Sequence, residues 1–160
     1  MCSSDLFAAH VPFYAPCGNI FSSERGAFTT GAPMLKLYGG KDETTPRAKC
    51  ERIDAVVRAA EPGLKWRSHW YEDAYHAWEN PAMAPRFYPG HVNARKCPII
   101  DSGARGGLID VNGTVRPFNG QELQTCIRES TGYSMGYSEA AAKDSPQRML
   151  AFFAEHLRAK

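Results

Sequence analysis

The sequence lacks the features that mark membrane proteins, nucleic-acid-binding proteins and zinc modules. It contains no apolar run long enough to span a bilayer and no basic-then-apolar leader. A formal net charge of only +2 gives little electrostatic basis for binding nucleic acid. The five histidines are scattered without HExxH or C-x-x-C spacing, so we expect no metal site and no cofactor. With 160 residues, 43% of them hydrophobic, the chain is predicted to be one soluble globular unit with a buried core.

The stretch Pro33–Pro46 indicates a strand that brings an acidic residue to a sheet edge. An apolar run stops at the paired glycines Gly39 and Gly40, and Asp42 follows them, ahead of a Thr-Thr-Pro sequence that can open a helix. Ligands of open α/β sheets bind at the carboxyl ends of the strands, so Asp42 is a candidate for chemistry. A helix N-cap or a solvated turn is the alternative role for an Asp at this position.

A second strand-like run, Leu64–Tyr71, brings a histidine to the same edge. The sequence Glu-Asp-Ala-Tyr-His-Ala-Trp follows it and ends at Trp78. His76 is therefore expected in the loop after this strand, where it would face the Asp42 loop.

A helix is predicted between these two strands. Thr44 or Thr45 is expected to cap it with Pro46 in its first turn, and Pro62-Gly63 to end it. Its apolar residues recur at helical spacing: Cys50, Ile53, Val56, Val57 and Ala60. This stripe predicts a helix that packs on the sheet and has a structural role.

Strand, Asp loop, helix, strand and His loop form the closing half of an α/β-hydrolase, whose nucleophile precedes the acid and the histidine. The sequences Gly40–Asp42 with Thr45-Pro46, and Tyr75–Trp78, resemble the dienelactone hydrolase family. The resemblance implies an ester or lactone hydrolase in which Asp42 is the triad acid and His76 the general base. Two alternatives stay open: a prolyl-oligopeptidase-like peptidase, which shares fold and triad order, and a non-catalytic binding or interaction module.

The chain lacks one component of such an enzyme, because no G-x-S-x-G elbow or Cys counterpart precedes Asp42. Residues 1–6, Met-Cys-Ser-Ser-Asp-Leu, match the translation of a widely used sequencing-adapter tail whose first codon, GTG, is read as Met at a start. We therefore expect residues 1–6 to be adapter translation. Residues 7–160 would be the C-terminal half of an α/β-hydrolase domain, a mostly parallel sheet flanked by helices, inactive for want of its Ser or Cys nucleophile.

Gly132–Gly136 reads Gly-Tyr-Ser-Met-Gly and satisfies the G-x-S-x-G pattern downstream of both triad candidates. The residues before it, Ile127–Thr131, are not the apolar strand that an elbow needs, and Ser134 would put the triad in the order acid, histidine, serine. We expect a turn here, leading to the segment Ala140–Ala142.

Two aromatic residues are candidates for substrate contact. The apolar segment Phe7–Pro16 is predicted to be the strand that follows the missing elbow and its helix, which puts Tyr14 close to the active-site edge. Trp78 lies two residues after His76. Core packing is the alternative role for both side chains.

The tail is predicted to be rich in loops. Residues 79–131 carry several turn signals, with a small hairpin over Gly107–Pro117 and a short helix within Phe118–Ile127. A closing helix is expected to be capped by Asp144 or Ser145, with Pro146 in its first turn. Its predicted buried face is Met149, Leu150, Phe152, Phe153 and Leu157.

Four cysteines lie beyond residue 6, and four cysteines permit three disulfide pairings. The predicted topology favours Cys17 with Cys50, which both follow the active-site edge, and Cys97 with Cys126, which flank the hairpin. Four buried thiols are the alternative. Paired cysteines would indicate a periplasmic or secreted protein, and thiols a cytoplasmic one. The predicted partner is a small ester or lactone, and the sequence leaves the oligomeric state open.

Overall fold

The computed structural model describes residues 8–22, 29–104, 106–110 and 114–157. In these residues it contains eight strands and three helices, and no helix long and apolar enough to cross a membrane. The strands are β1 (Asn19–Ile20), β2 (Met34–Gly39), β3 (Trp66–Tyr71), β4 (Arg86–Val92), β5 (Ile99–Asp101), β6 (Gly107–Ile109), β7 (Val115–Arg116) and β8 (Thr131–Met135). The helices are α1 (Arg47–Ala60), α2 (Gly120–Glu129) and α3 (Glu139–His156).

The centre of the fold is the parallel pair of β2 and β3, which are in register from Met34 opposite Trp66 to Gly39 opposite Tyr71. All of β2 after Met34 is buried, including Lys36. Apart from Lys36 its side chains are mostly apolar, which is typical of a strand that is covered on both faces. Both strands end at the same position along the sheet, with Gly39 opposite Tyr71, so the loops that follow them begin side by side.

The segment before β2 is less regular than the strand predicted over Phe7–Pro16, of which Phe7 lies outside the described residues. Within it, only His10 and Phe13 form isolated parallel bridges to β2, opposite Met34 and Leu37. Pro12 accepts a backbone hydrogen bond from Leu37 at 3.0 Å but has no N–H to donate in return. The proline therefore interrupts the ladder, and the predicted strand is present only as bridges to β2 on either side of it.

Helix α1 covers the pair of strands as predicted, but its start differs from the prediction. Pro46 is the N-cap and makes no side-chain capping bond, so neither Thr44 nor Thr45 caps the helix. Cys50, Ile53 and Val57 are buried in one core cluster with Tyr38 and Trp66, whereas the last apolar residue of the stripe, Ala60, is exposed.

A buried ion pair fixes α1 against the strands. Lys36 of β2 contacts Asp54 of α1 at 2.6 Å, and the Ser68 hydroxyl of β3 donates to the other oxygen of Asp54 at 2.6 Å. The Lys36 ammonium also lies 4.0 Å from the ring centroid of Trp66. Burial lowers the pKa of Lys36, and the Asp54 carboxylate opposes that shift. A buried charge is costly unless it is paired, so this contact specifies how helix and strands meet.

The tail contains more sheet than predicted. Strands β4 and β8 pair antiparallel, and a second sheet has the order β1-β5-β6-β7, with β1 and β5 parallel and the other pairs antiparallel. The sheets of the described residues are therefore mixed, not mostly parallel. The predicted hairpin corresponds to β6 and β7, and the turn predicted at Asn112-Gly113 lies outside the described residues. Strand β4 was missed because Pro89-Gly90 interrupts its pattern, and its register shifts between Tyr88 and Val92.

The closing helix, α3, begins at Glu139, well before the predicted caps Asp144 and Ser145, so Pro146 lies inside it. A proline inside a helix removes one hydrogen bond, which is why the sequence pattern predicts a helix start there. Packing compensates for the loss, since Ser145 is buried and accepts a hydrogen bond from the Trp78 indole at 3.4 Å. The predicted buried face was partly wrong: Phe152 is buried, but Leu150 is 63% exposed and Leu157 45%.

Both predicted disulfides are present. The Cys17–Cys50 bridge joins the segment before β1 to α1, and the Cys97–Cys126 bridge joins the loop before β5 to α2. The bridges close chain segments of 33 and 29 residues. Closing loops of this length restricts the unfolded chain and stabilises the fold by about 3 to 4 kcal/mol each in the chain-entropy model.

The two bridges predict the number of thiols in oxidised protein. The chain has five cysteines, and the two bridges use four of them. A thiol assay on denatured, unreduced protein should therefore find one thiol per chain, and the same assay after reduction should find all five. Five thiols before reduction would contradict the disulfide assignment.

Gly40 is expected to tolerate no side chain. A Cβ placed there would lie 2.5 Å from the Glu72 carbonyl oxygen and 2.8 Å from the Glu72 Cα, so the backbones of the two loops would have to separate. We expect Gly40→Ala to lower the free energy of unfolding by about 1 to 3 kcal/mol, as overpacking does. Gly63→Ala, where a Cβ meets nothing within 4 Å, is the matched control. Equal urea midpoints for the two variants would contradict this close approach.

Candidate active site

Asp42 and His76 lie on neighbouring loops at one edge of the β2–β3 pair. Backbone hydrogen bonds join the loops, from Gly40 N–H to the Tyr71 carbonyl at 2.8 Å and from Lys41 N–H to the Ala74 carbonyl at 3.0 Å. This edge is the carboxyl end of both strands, as the sequence predicted.

The two side chains meet directly. Nδ1 of His76 lies 2.8 Å from Oδ2 of Asp42. The Asp42 carboxylate is fully buried, whereas the His76 side chain keeps 23% of its surface exposed. A buried carboxylate that binds Nδ1 orients the imidazole and leaves Nε2 available for proton transfer.

Thr44 completes the arrangement, a role that the sequence analysis missed. Its backbone N–H and its hydroxyl both donate to Oδ1 of Asp42, at 2.8 and 2.6 Å. Its hydroxyl oxygen also lies 3.1 Å from Nδ1 of His76. The signal was present in the Asp-x-Thr spacing, because an Asp side chain often binds the backbone two residues later in a turn.

These contacts set the protonation of Asp42. Burial alone would raise the pKa of this carboxyl, but the hydrogen bonds from His76 and Thr44 outweigh burial and hold the pKa below its usual value of 3.8. Asp42 is therefore an anion at neutral pH, and it can stabilise a positive charge on His76.

Tyr14 contacts the histidine from the segment before β2. The centroid of its ring lies 4.3 Å from that of His76, and its hydroxyl donates to Glu79 at 2.5 Å. Burial and the Glu79 carboxylate both raise the pKa of the Tyr14 hydroxyl. Its backbone has a φ of 38°, a strained value for a residue other than glycine, and such strain clusters at functional sites.

Trp78 takes the alternative role that the sequence allows, packing in the core. The side chain is fully buried, packs against Tyr14 and stacks on Phe13 with ring centroids 5.9 Å apart. It therefore packs against the ring of Tyr14 and does not line the cleft. Its spacing from His76 predicts that Trp78 lies near the histidine, but it does not predict which way the side chain points.

Residues Gly132–Met135 of the G-x-S-x-G sequence lie in strand β8, so the predicted turn was wrong. Ser134 is opposite Phe87 in the pairing with β4, and its N–H donates to Glu43 at 3.0 Å. Both glycines serve packing: a Cβ at Gly132 would lie 2.2 Å from the Phe87 ring, and one at Gly136 would lie 2.3 Å from Pro85. Ser134 is thus inside a strand and not on the strand-to-helix turn that defines a nucleophile elbow.

An open cleft of about 830 Å³ lies in front of His76. Its wall includes Phe13, Tyr14, Thr44, Lys49, His76 and Tyr133. Of these, the sequence analysis assigned a site role only to Tyr14 and His76. Burial lowers the pKa of Lys49 to about 8, and its ammonium donates to the Ala94 carbonyl at 2.7 Å. In the described residues, no group of three or more His, Cys, Asp or Glu side chains is arranged to hold a metal ion.

Replacing Asp42 by Asn is expected to destabilise the protein in a pH-dependent way. The pKa of Asp42 is lower in the folded protein than its usual 3.8, so its ionisation contributes stability above about pH 4 that is lost as the pH falls through the folded-state value. Urea unfolding of the parent and of Asp42→Asn should differ most at pH 5 to 7, on the order of 1 kcal/mol or more. A difference that grows as the pH falls below about 4 would contradict this.

Comparison with known proteins identifies the family. The model of the dienelactone hydrolase family matches residues 2–157, nearly the whole chain. Neither the curated proteins nor the solved structures that were compared gave a match. The family has an α/β-hydrolase fold, with which the mixed sheets and three helices of the described residues agree. On the family match, which bears out the resemblance seen at the Asp42 and His76 loops, the chain belongs to the dienelactone hydrolase family.

Proposed function

We propose that Asp42 and His76 are the acid and the base of a nucleophile-His-Asp triad that hydrolyses ester or lactone bonds. The observation that carries this proposal is the 2.8 Å contact between Nδ1 of His76 and Oδ2 of Asp42. The contact lies at the carboxyl ends of two parallel strands, and the imidazole opens onto the cleft. This is the relation between acid and histidine that acyl transfer requires.

In the proposed mechanism, Nε2 of His76 accepts the proton of a Ser or Cys nucleophile as that group attacks the carbonyl carbon. The imidazolium that forms is stabilised by Asp42, which stays ionised because its pKa is lowered. The tetrahedral intermediate collapses when His76 returns the proton to the leaving oxygen, which yields an acyl-enzyme and an alcohol. Water, deprotonated by His76, then releases the carboxylic acid and the nucleophile. For a lactone, the acid and the alcohol belong to one product.

The nucleophile is proposed to come from a segment ahead of Phe7, so that residues 7–160 are the C-terminal half of the domain and are inactive alone. Three observations support this. Cys17 is bound to Cys50, which removes its sulfur as a nucleophile, and Ser134 lies inside a paired strand. The described part of the segment before β2 also pairs with β2 alone, which leaves its other edge for a further strand.

The cleft supports a small substrate with an apolar body. Phe13, Tyr14, Phe21 and Tyr133 all contribute to its wall. Aromatic walls suit an ester or lactone, whose carbonyl is its main polar group.

The test is to recover the gene from native DNA and express the longer protein. A strand that ends in G-x-[SC]-x-G within about 50 residues before Phe7, as domain size allows, is expected. The longer protein should hydrolyse p-nitrophenyl esters, and His76→Gln or Asp42→Asn should lower kcat about 10⁴-fold or more, as losses of triad members do. Residues 7–160 alone should show no hydrolysis above the buffer rate.

Ser134→Ala in the longer protein is the matched control, and it should retain the parent activity. Loss of activity in that variant would show that Ser134, and not a residue ahead of Phe7, is the nucleophile. Hydrolysis by residues 7–160 that depends on His76 would refute their inactivity. A longer protein without an elbow and without hydrolysis would favour the binding-module alternative.

A further inference from the structure

We propose that the hydroxyl of Thr44 is a positioning group that holds the proton of the His76 imidazole on Nδ1 and so keeps Nε2 free to act as the base. The inference rests on the proposed function, in which Nε2 accepts the proton of the nucleophile. Nothing in the mechanism so far required a third polar residue, yet Thr44 contacts both members of the acid-base pair.

Hydrogen-bond accounting assigns each proton in this cluster. The carboxylate of Asp42 only accepts, so the 2.8 Å contact of its Oδ2 with Nδ1 of His76 requires a proton on Nδ1. The hydroxyl of Thr44 has one proton, and its 2.6 Å contact with Oδ1 of Asp42 uses it. The 3.1 Å contact between the Thr44 oxygen and Nδ1 is then one in which Thr44 accepts. The Nδ1 proton is therefore shared between Asp42 and Thr44.

Thr44 also decides which carboxylate oxygen faces the histidine. Its backbone N–H and its hydroxyl both bind Oδ1, at 2.8 and 2.6 Å, and this leaves Oδ2 to His76. The carboxylate is buried, so turning it would break two hydrogen bonds away from water. Thr44 thereby holds both the proton and its acceptor in place.

The other neighbours of the imidazole do not supply this control. Tyr14 and Tyr133 contact its ring, with ring centroids 4.3 and 5.6 Å away, and restrict the plane of the ring. The hydroxyl of Tyr14 is directed to Glu79, so it does not bind His76. Among the described residues, Asp42 and Thr44 provide the side-chain hydrogen bonds of Nδ1.

The test is nuclear magnetic resonance of the 15N-labelled chain, at about pH 8.5, where histidine is ordinarily neutral. In the parent, the His76 nitrogen shifts should report the Nδ1–H tautomer, and the Nδ1 proton should exchange slowly with water. Thr44→Val keeps the branched shape and removes the hydroxyl. We expect it to speed exchange of the Nδ1 proton about five-fold or more and to lower the ratio of Nδ1–H to Nε2–H tautomer by a similar factor, the effect of one ordinary hydrogen bond.

Two further variants complete the design. Thr44→Ser restores the hydroxyl and should restore the parent exchange rate. Thr45→Val makes the same substitution one residue later, where the buried hydroxyl has no hydrogen-bond partner among the described residues, and should leave the His76 signals unchanged. If Thr44→Val fails to fold, Thr44→Ala against Thr44→Ser gives the same comparison.

Parent-like exchange and tautomer ratio in folded Thr44→Val would overturn the role of Thr44, and so would a failure of Thr44→Ser to recover them. These measurements need no nucleophile and no substrate. They therefore separate failure of this inference from failure of the proposed hydrolase activity, which the ester assay on the longer protein tests.

Discussion

The parallel pairing of β2 with β3 is the constraint on which the site depends. Because the strands run in register and end level at Gly39 and Tyr71, their loops begin a few ångströms apart. Gly39 and Gly40 then allow the two loop backbones to touch. A slip of one residue would turn every side chain of a strand to its other face, and the contact between Asp42 and His76 would be lost.

Buried contacts on α1 maintain that register. Lys36 of β2 and Asp54 of α1 form an ion pair that Ser68 of β3 completes, so one charged cluster involves all three elements. The Cys17–Cys50 bridge ties the chain ahead of β2 to the same helix. Apolar packing alone would tolerate small shifts between these elements, whereas a buried charge must find its partner and a disulfide has a fixed length.

Residues of the tail contact both the His76 loop and the Asp42 loop. Gly136 N–H donates to the His76 carbonyl at 3.0 Å, and the carboxylate of Glu43, the residue after Asp42, accepts hydrogen bonds from the Ser134 N–H and the Arg95 guanidinium. The Gly-Tyr-Ser-Met-Gly sequence thus packs against the acid loop as a strand. These five residues match a catalytic motif but have a structural role, because a short sequence pattern does not determine the backbone conformation of its residues.

Local patterns on their own determined the apolar run of β2, the helical stripe of α1, the position of Asp42 and His76 after consecutive strands, and the family. These features depend on short-range periodicity and on residue identity, which a sequence displays directly. Tertiary structure decided that Thr44 contacts His76, that Trp78 faces the core, and that α3 continues through Pro146. Each of these outcomes depends on a partner distant in sequence, and only folding brings such partners into contact. The partner is His76 for Thr44, Phe13 for Trp78 and Trp78 for α3.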